Sequence, residues 1–267
     1  MKPLIHFAHA NGVPSQVYQK LFDLLKDEYE VIYVPLLGTD KRYPIDNHWE
    51  SLTNQVIDSI VRQAKGRPVI GLGHSLGSVL TFQAALKRPE LFSQVIMLDP
   101  PLIMGKDGFA LHVAKLLKLK AVDRMSPAAL SLRRRDHWDS REQAAELLRP
   151  KGFYKDFDAD CFQAYIDYAL TEDKVRGGVE LTIPKMDEVK VFRTNPSLWW
   201  LPRKKIHLPI HLVVAEQSPF LPRRFPQMVK KKFGVPFSIT AGGHMFPLEH
   251  PVEVVNLIQQ LIQQQAT

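Results

Sequence analysis

Ser75 carries the strongest chemical signal in this chain. It stands in Gly71-Leu72-Gly73-His74-Ser75-Leu76-Gly77, after the apolar run Val69-Ile70-Gly71-Leu72. Residues 78–87 follow with helical apolar spacing, and Pro89 stops that helix. A strand that turns abruptly into a helix around Gly-x-Ser-x-Gly is a nucleophile elbow. Gly73 and Gly77 lack a Cβ, so strand and helix can approach closely, and the turn holds the serine in a strained conformation with its hydroxyl presented. The next amide, that of Leu76, falls at a helix N-terminus, where developing negative charge is favoured. Such a serine is suited to nucleophilic attack on a carbonyl.

The elements able to position it alternate along the chain. Leu4-Ile5-His6-Phe7-Ala8 reads as a strand running into the loop His9-Ala10-Asn11-Gly12-Val13-Pro14-Ser15. Val17, Leu21, Leu24 and Leu25 mark one face of a helix, and residues 31–35 a second buried strand. A helix over 49–64 carries Leu52, Val56, Ile57, Ile60 and Val61 on its inner stripe. Val95-Ile96-Met97-Leu98 is the strand after the elbow helix and delivers Asp99 at its end. Two further strands are expected over 210–215 and 237–241. A closing amphipathic helix is expected over 251–262, with residues 259–265 as a fraying end.

Continuous apolar strands separated by helices predict an α/β fold, a mostly parallel central sheet with helices on both faces. Sites in such sheets form outside the C-terminal strand ends. His9, Ser75, Asp99, Glu216 and His244 all fall there. Residues 101–202 break the alternation with helical patterns over 109–119, 140–148 and 159–170 and no convincing central strand. The expected organisation is therefore a core of residues 1–100 and 203–267 with a helical lid inserted at 101–202.

The totals narrow the function. The 267 residues are 45% hydrophobic and 24% charged, ordinary for a soluble globular protein. The formal charge of +7 comes as short runs, among them Arg133-Arg134-Arg135, Arg203-Lys204-Lys205 and Lys230-Lys231-Lys232. These read as solvated faces without the interleaved aromatics of a nucleic-acid platform, so no nucleic-acid partner is expected. No apolar run is long enough for a membrane span. No secretory leader is visible, because residues 3–8 already read as a strand. Cys161 is the only cysteine, so a reducing compartment, the cytoplasm, is expected. Neither zinc-ligand spacing nor a phosphate-binding or dinucleotide glycine loop is present, so no metal and no cofactor are expected. Nothing in the sequence assigns an oligomeric state.

With the elbow at Ser75, the upstream His9-Ala10-Asn11-Gly12 loop and the downstream Gly242-Gly243-His244-Met245-Phe246-Pro247-Leu248-Glu249-His250-Pro251, the chain resembles the α/β-hydrolase superfamily. The resemblance implies His244 as general base and an oxyanion hole from the amides of Asn11 and Leu76, and gives His9 and His250 structural roles. Its usual address for the acid, after the penultimate strand, holds Ser218 here. Two carboxylates can substitute, Asp99 and, alternatively, Glu216. Asp99 is preferred, because a strand-end carboxylate beside the nucleophile strand reaches the histidine loop without reorganising its backbone. The Asn11 side chain resembles its counterpart in haloalkane dehalogenases and is expected to contact an acyl or leaving-group oxygen.

The implied activity is that of a serine hydrolase cleaving a carboxylic ester or thioester through an acyl-enzyme. The same triad serves a carbon–carbon bond hydrolase, and the serine at 218 leaves open a catalytically silent binding protein. The expected partner is a small acyl substrate, apolar or anionic. Trp138, Phe153, Tyr154, Phe162, Tyr165, Trp199 and Trp200 are available to an apolar pocket, although packing between lid and core is the commoner use of such residues. The Arg133–Arg135 run is available to an anionic head group.

Overall fold

A computed structural model describes residues 1–119, 121–124, 126–199, 201 and 207–266. The first half alternates as the apolar runs require: β1 (Leu4–Ala8), α1 (Gln19–Leu25), β2 (Glu30–Tyr33), α2 (Glu50–Ala64), β3 (Val69–His74), α3 (Leu76–Lys87) and β4 (Phe92–Leu98). An insertion follows, with α4 (Gly105–Leu116), α5 (Ala121–Arg124), α6 (Ala128–Arg133), β5 (His137–Trp138), α7 (Arg141–Leu148), α8 (Ala159–Tyr168), β6 (Leu170–Glu172), β7 (Val179–Leu181) and α9 (Lys185–Arg193). The chain then returns to the core through β8 (Ile210–Ala215), α10 (Phe225–Phe233), β9 (Phe237–Thr240), α11 (Phe246–Glu249) and α12 (Pro251–Ala266).

Among the described residues the core strands form one six-stranded sheet in the order β2-β1-β3-β4-β8-β9, with every pairing parallel. Successive strand side chains point to opposite faces. Ile5, Phe7, Ile70, Leu72, Ile96 and Leu98 join one apolar cluster with α1 and α12, while Leu4, Ala8, Val69, Val95 and Met97 join the other with α2 and α3. The chain leaves β1 for β2 on one side and comes back to β3 on the other. The connections therefore diverge between β1 and β3, and a crevice opens at their C-terminal ends. Ser75 and the loop at residues 9–14 both emerge there.

Several expectations shift in detail. β2 is an edge strand, half-buried rather than buried, because only β1 pairs with it. A 3-10 turn at Ser15–Tyr18 precedes α1, which buries Leu21, Phe22 and Leu25 and turns Leu24 to solvent. Val61 is likewise exposed on α2, and α12 stays helical through the polar stretch expected to fray.

The insertion is not wholly helical. β5, β7 and β6 make a small antiparallel sheet between its helices. Its aromatics are packing residues: Trp138, Tyr154, Phe162 and Tyr165 extend the first core cluster, Trp199 stacks on Phe82, and Phe153 is exposed. Trp200 and the Arg203-Lys204-Lys205 run lie outside the described residues. No helix among the described residues is long and apolar enough to cross a membrane.

Candidate active site

β3 ends at His74 and α3 begins at Leu76, so Ser75 alone makes the turn. Its φ of 52° and ψ of −115° lie outside the regions open to ordinary L-residues, a conformation that costs on the order of 1–3 kcal/mol and persists only where its surroundings impose it. They do so here. The Ser75 amide donates to the Leu98 carbonyl at 2.8 Å, and the Gly77 amide donates to the His9 carbonyl at 3.1 Å. A Cβ on Gly73 would lie 2.5 Å from the Gly77 backbone, and one on Gly77 only 2.0 Å from the Ala8 carbonyl oxygen. Both glycines are thus required by backbone approach. The hydroxyl itself is covered, with Ser75 only 8% exposed.

Asp99 follows β4 with a φ of 44° and is buried. Its amide donates to the Val213 carbonyl at 2.8 Å, and its Oδ1 accepts the Ala215 amide at 3.2 Å. Oδ2 is left facing His244, 2.5 Å from Nδ1, and His244 Nε2 lies 2.9 Å from Ser75 Oγ. An ionised carboxylate only accepts, so Nδ1 carries the proton and Nε2 is free to receive one from the serine. The base loop is shaped by Gly242, at a φ of 101°, and by Glu249, whose Oε2 accepts the Gly243 amide at 2.7 Å. The Phe220 ring meets the His244 imidazole edge-on.

The structure thus brings Ser75, His244 and Asp99 together and leaves Glu216 apart. Glu216 is exposed, and its carboxylate makes no hydrogen bond to another described residue. Ser218, at the address where an acid was sought, is buried and accepts the Phe220 amide at 3.2 Å, which shapes its own loop.

Neither the Asn11 nor the Leu76 amide donates to another described residue. The Asn11 side chain departs from expectation: its Nδ2 donates to the Glu188 backbone carbonyl at 3.0 Å and is therefore committed to α9 rather than free for a substrate oxygen. Glu188 also crowds Gly12, where a Cβ would meet its Oε2 at 2.8 Å. That carboxylate is buried and fully engaged, with Ser131 Oγ donating at 2.6 Å and Arg134 Nη1 at 2.7 Å. Arg134 Nη2 reaches the Tyr165 and Tyr154 hydroxyls at 3.0 and 3.3 Å. Of the arginine run, only Arg133 and Arg135 remain exposed, because the middle guanidinium is spent inside the insertion.

His9 fastens the loop as expected. It accepts the Leu37 amide on Nε2 at 2.8 Å and donates from Nδ1 to the Ala10 carbonyl at 2.7 Å, while burial lowers its pKa to about 4. Residues that sequence reasoning passed over adjoin the array. They are Glu249, which sits inside the quoted histidine motif, Tyr18, which carries no sequence signal beyond its place on the apolar face, and His74, which sits at a variable position of the elbow motif.

The known proteins that this chain is similar to share its fold. The type I acyl-CoA thioesterase mpaH of Penicillium brevicompactum is 23% identical over 216 residues, 68% of this chain and 47% of that protein. The chain spans about half the length of the curated relatives it matches, or less. The crystal structure of E-2-(acetamidomethylene)succinate hydrolase superposes with a TM-score of 0.75 at 20% identity, covering 98% of this chain and 92% of that one. The thioesterase domain from the curacin biosynthetic pathway gives 0.72 at 18% identity, covering 97% and 91%. The model of the alpha/beta hydrolase family matches residues 7–257. An all-parallel core, a serine at its elbow and this family match lead to one conclusion: the chain belongs to the alpha/beta hydrolase family and is a hydrolytic enzyme.

Proposed function

We propose that this hydrolase cleaves carboxylic esters or thioesters through a covalent acyl-enzyme on Ser75. The observation that carries the reading is the continuous line from Asp99 Oδ2 through both imidazole nitrogens of His244 to Ser75 Oγ, at 2.5 and 2.9 Å. His244 Nε2 takes the hydroxyl proton as Oγ bonds to the substrate carbonyl carbon. The electron pair displaced onto the carbonyl oxygen is held by the Asn11 and Leu76 amides, and the N-terminus of α3 adds its favourable field. The protonated imidazole, kept in orientation by Asp99, then gives its proton to the departing oxygen or sulfur as that bond breaks. Water, deprotonated by the same nitrogen, attacks the acyl-enzyme and releases the acid. No step of this sequence needs a metal or a cofactor.

The insertion serves as the lid over this site. Supporting that role, Ser75 is nearly buried although it stands at the open end of the sheet, and Glu188 of α9 lies on the Asn11-Gly12 turn. Relatives named as acyl-CoA thioesterases place thioesters first among the substrates to try. The test is a panel of p-nitrophenyl esters, acyl-CoA thioesters and a ring-cleavage dienoate, with fluorophosphonate labelling in parallel. Labelling at Ser75 together with ester or thioester turnover is expected. Turnover of the dienoate alone replaces acyl transfer with carbon–carbon cleavage, and a folded protein that never labels at Ser75 ends the reading.

A further inference from the structure

His74, immediately before the nucleophile, is fully buried, and both its ring nitrogens are engaged. Nδ1 lies 2.7 Å from the Tyr18 hydroxyl and Nε2 lies 2.9 Å from the backbone carbonyl oxygen of His244. A carbonyl oxygen can only accept, so Nε2 must carry a proton. Burial, reinforced by the neighbouring His244 imidazole, lowers the pKa of His74 to about 3. The ring is therefore neutral, and Nδ1 holds a lone pair that accepts from the Tyr18 O–H. The Tyr18 oxygen in turn accepts the Ala10 amide, at a longer 3.4 Å. Every hydrogen in this chain points the same way, from Ala10 to Tyr18 to His74 to His244, an order in which each bond polarises the next.

The two ends of the chain are the two loops that catalysis has to align. Ala10 precedes Asn11, and the far end is the peptide carbonyl of His244 itself. Gly242 and Gly243 leave the base loop conformationally free on its N-terminal side. It is fastened there by Glu249 on the Gly243 amide, and beyond the Cα of His244 by His74 on the carbonyl.

We infer that His74 and Tyr18 are positioning residues, a one-way hydrogen-bond chain that sets the direction of the His244 side chain relative to Ser75 and to the oxyanion loop. The inference rests on the reading of His244 as general base. It assigns no contact with substrate to either residue.

The test uses the full chain and three variants, with p-nitrophenyl butyrate turnover, the rate of fluorophosphonate labelling and thermal stability measured on each. His74→Asn offers an acceptor to Tyr18 but no donor that reaches the His244 carbonyl. Its kcat and labelling rate should fall roughly 10- to 100-fold, the cost of misplacing a reacting group by about an ångström. KM should stay within about 3-fold, because no substrate contact is removed. His74→Gln restores a donor near the place of Nε2 and should recover most of the loss. Tyr18→Phe should fall between the two.

The wild-type tautomer provides a check independent of activity. Nitrogen NMR should place the His74 proton on Nε2, with Nδ1 bare, across the neutral range. A proton on Nδ1 instead, unimpaired turnover in folded His74→Asn, or a folded His74→Gln as slow as His74→Asn would each overturn the inference. A wild type that neither labels nor turns over would defeat the Ser75 reading instead, and the tautomer would still decide whether the chain exists.

Discussion

The strand-end site and the insertion above it are held by different means. At the site the main chain does the positioning. Ser75 is fixed by the Leu98 carbonyl, Asp99 by the Val213 carbonyl, and the elbow helix by the carbonyl of His9. Two of the three reactive side chains stand on residues with positive φ. In the insertion, side chains do that work: Glu188 with Arg134 and Ser131, Arg193 with Asp123, and Lys185 with Asp136. Backbone hydrogen bonds tolerate replacement of most side chains, whereas a paired charge depends on both partners. Substitutions at the site should therefore remove activity and leave the fold standing. Substitutions in the insertion should do the reverse.

The largest effect expected is that of Ser75→Ala, which should lower turnover by at least about 10⁴-fold. Its melting temperature should match the wild type, because no buried contact of the fold is lost. A comparable loss of stability would show the two regions to be less separate than their bonding suggests. Asp99→Asn comes next, at roughly 10³- to 10⁴-fold in kcat, since an amide cannot stabilise the imidazolium and favours the wrong tautomer. Glu216→Gln, measured beside it, should leave kcat within about 2-fold, as for other exposed substitutions away from the reacting groups. A collapse at Glu216 with Asp99→Asn still active would move the acid to the other loop.

The insertion gives the opposite signature. Glu188→Ala strands a buried guanidinium and should destabilise the protein by about 3–5 kcal/mol in denaturant unfolding. Fluorophosphonate labelling of the fraction still folded should stay within about 10-fold of wild type, since the residue supports a lid and touches no reacting atom. Equal loss of labelling and stability would merge the two regions into one.

The smallest effect is a pH dependence belonging to the core. Burial lowers the pKa of His6 and His74 to about 3 and of His9 to about 4, below the 6.5 of the unfolded chain. Below pH 6.5 the unfolded state therefore binds protons that the native state does not. The stability tied to these residues is complete above that value. It falls with the pH at about 1.4 kcal/mol per unit for each histidine until their folded values are reached. Urea unfolding at pH 7, 6 and 5 measures the slope, and His6→Gln should reduce it by about a third of the histidine contribution. A flat profile would contradict the neutral, buried state of these rings.

The same contrast explains what could be read from the sequence. Strands and elbow were legible because they are contiguous: four or five apolar residues in a row, two glycines around a serine, a Gly-Gly-His run. The acid was left between Asp99 and Glu216, because the direction of a strand-end side chain depends on partners such as the Ala215 amide, 116 residues away. The interior of the insertion was not legible. Its strands are two or three residues long, too short to show alternation. Arg134 looks like its neighbours in a run of three, and the glutamate that claims it stands 54 positions downstream. Val61 and Leu24 were placed on inner faces by spacing alone, and helices that pack on one side leave such flanking apolar positions in water.

The left-handed twist at residue 75 also selects the kind of hydroxyl that can stand there. A side chain branched at Cβ is a severe steric outlier at positive φ, so threonine is excluded although it carries the same functional group. A primary alcohol or a thiol fits, and glycine would rest there most comfortably of all while doing no chemistry. The fold thus stores a small, permanent disadvantage at the one position where relaxation would silence it.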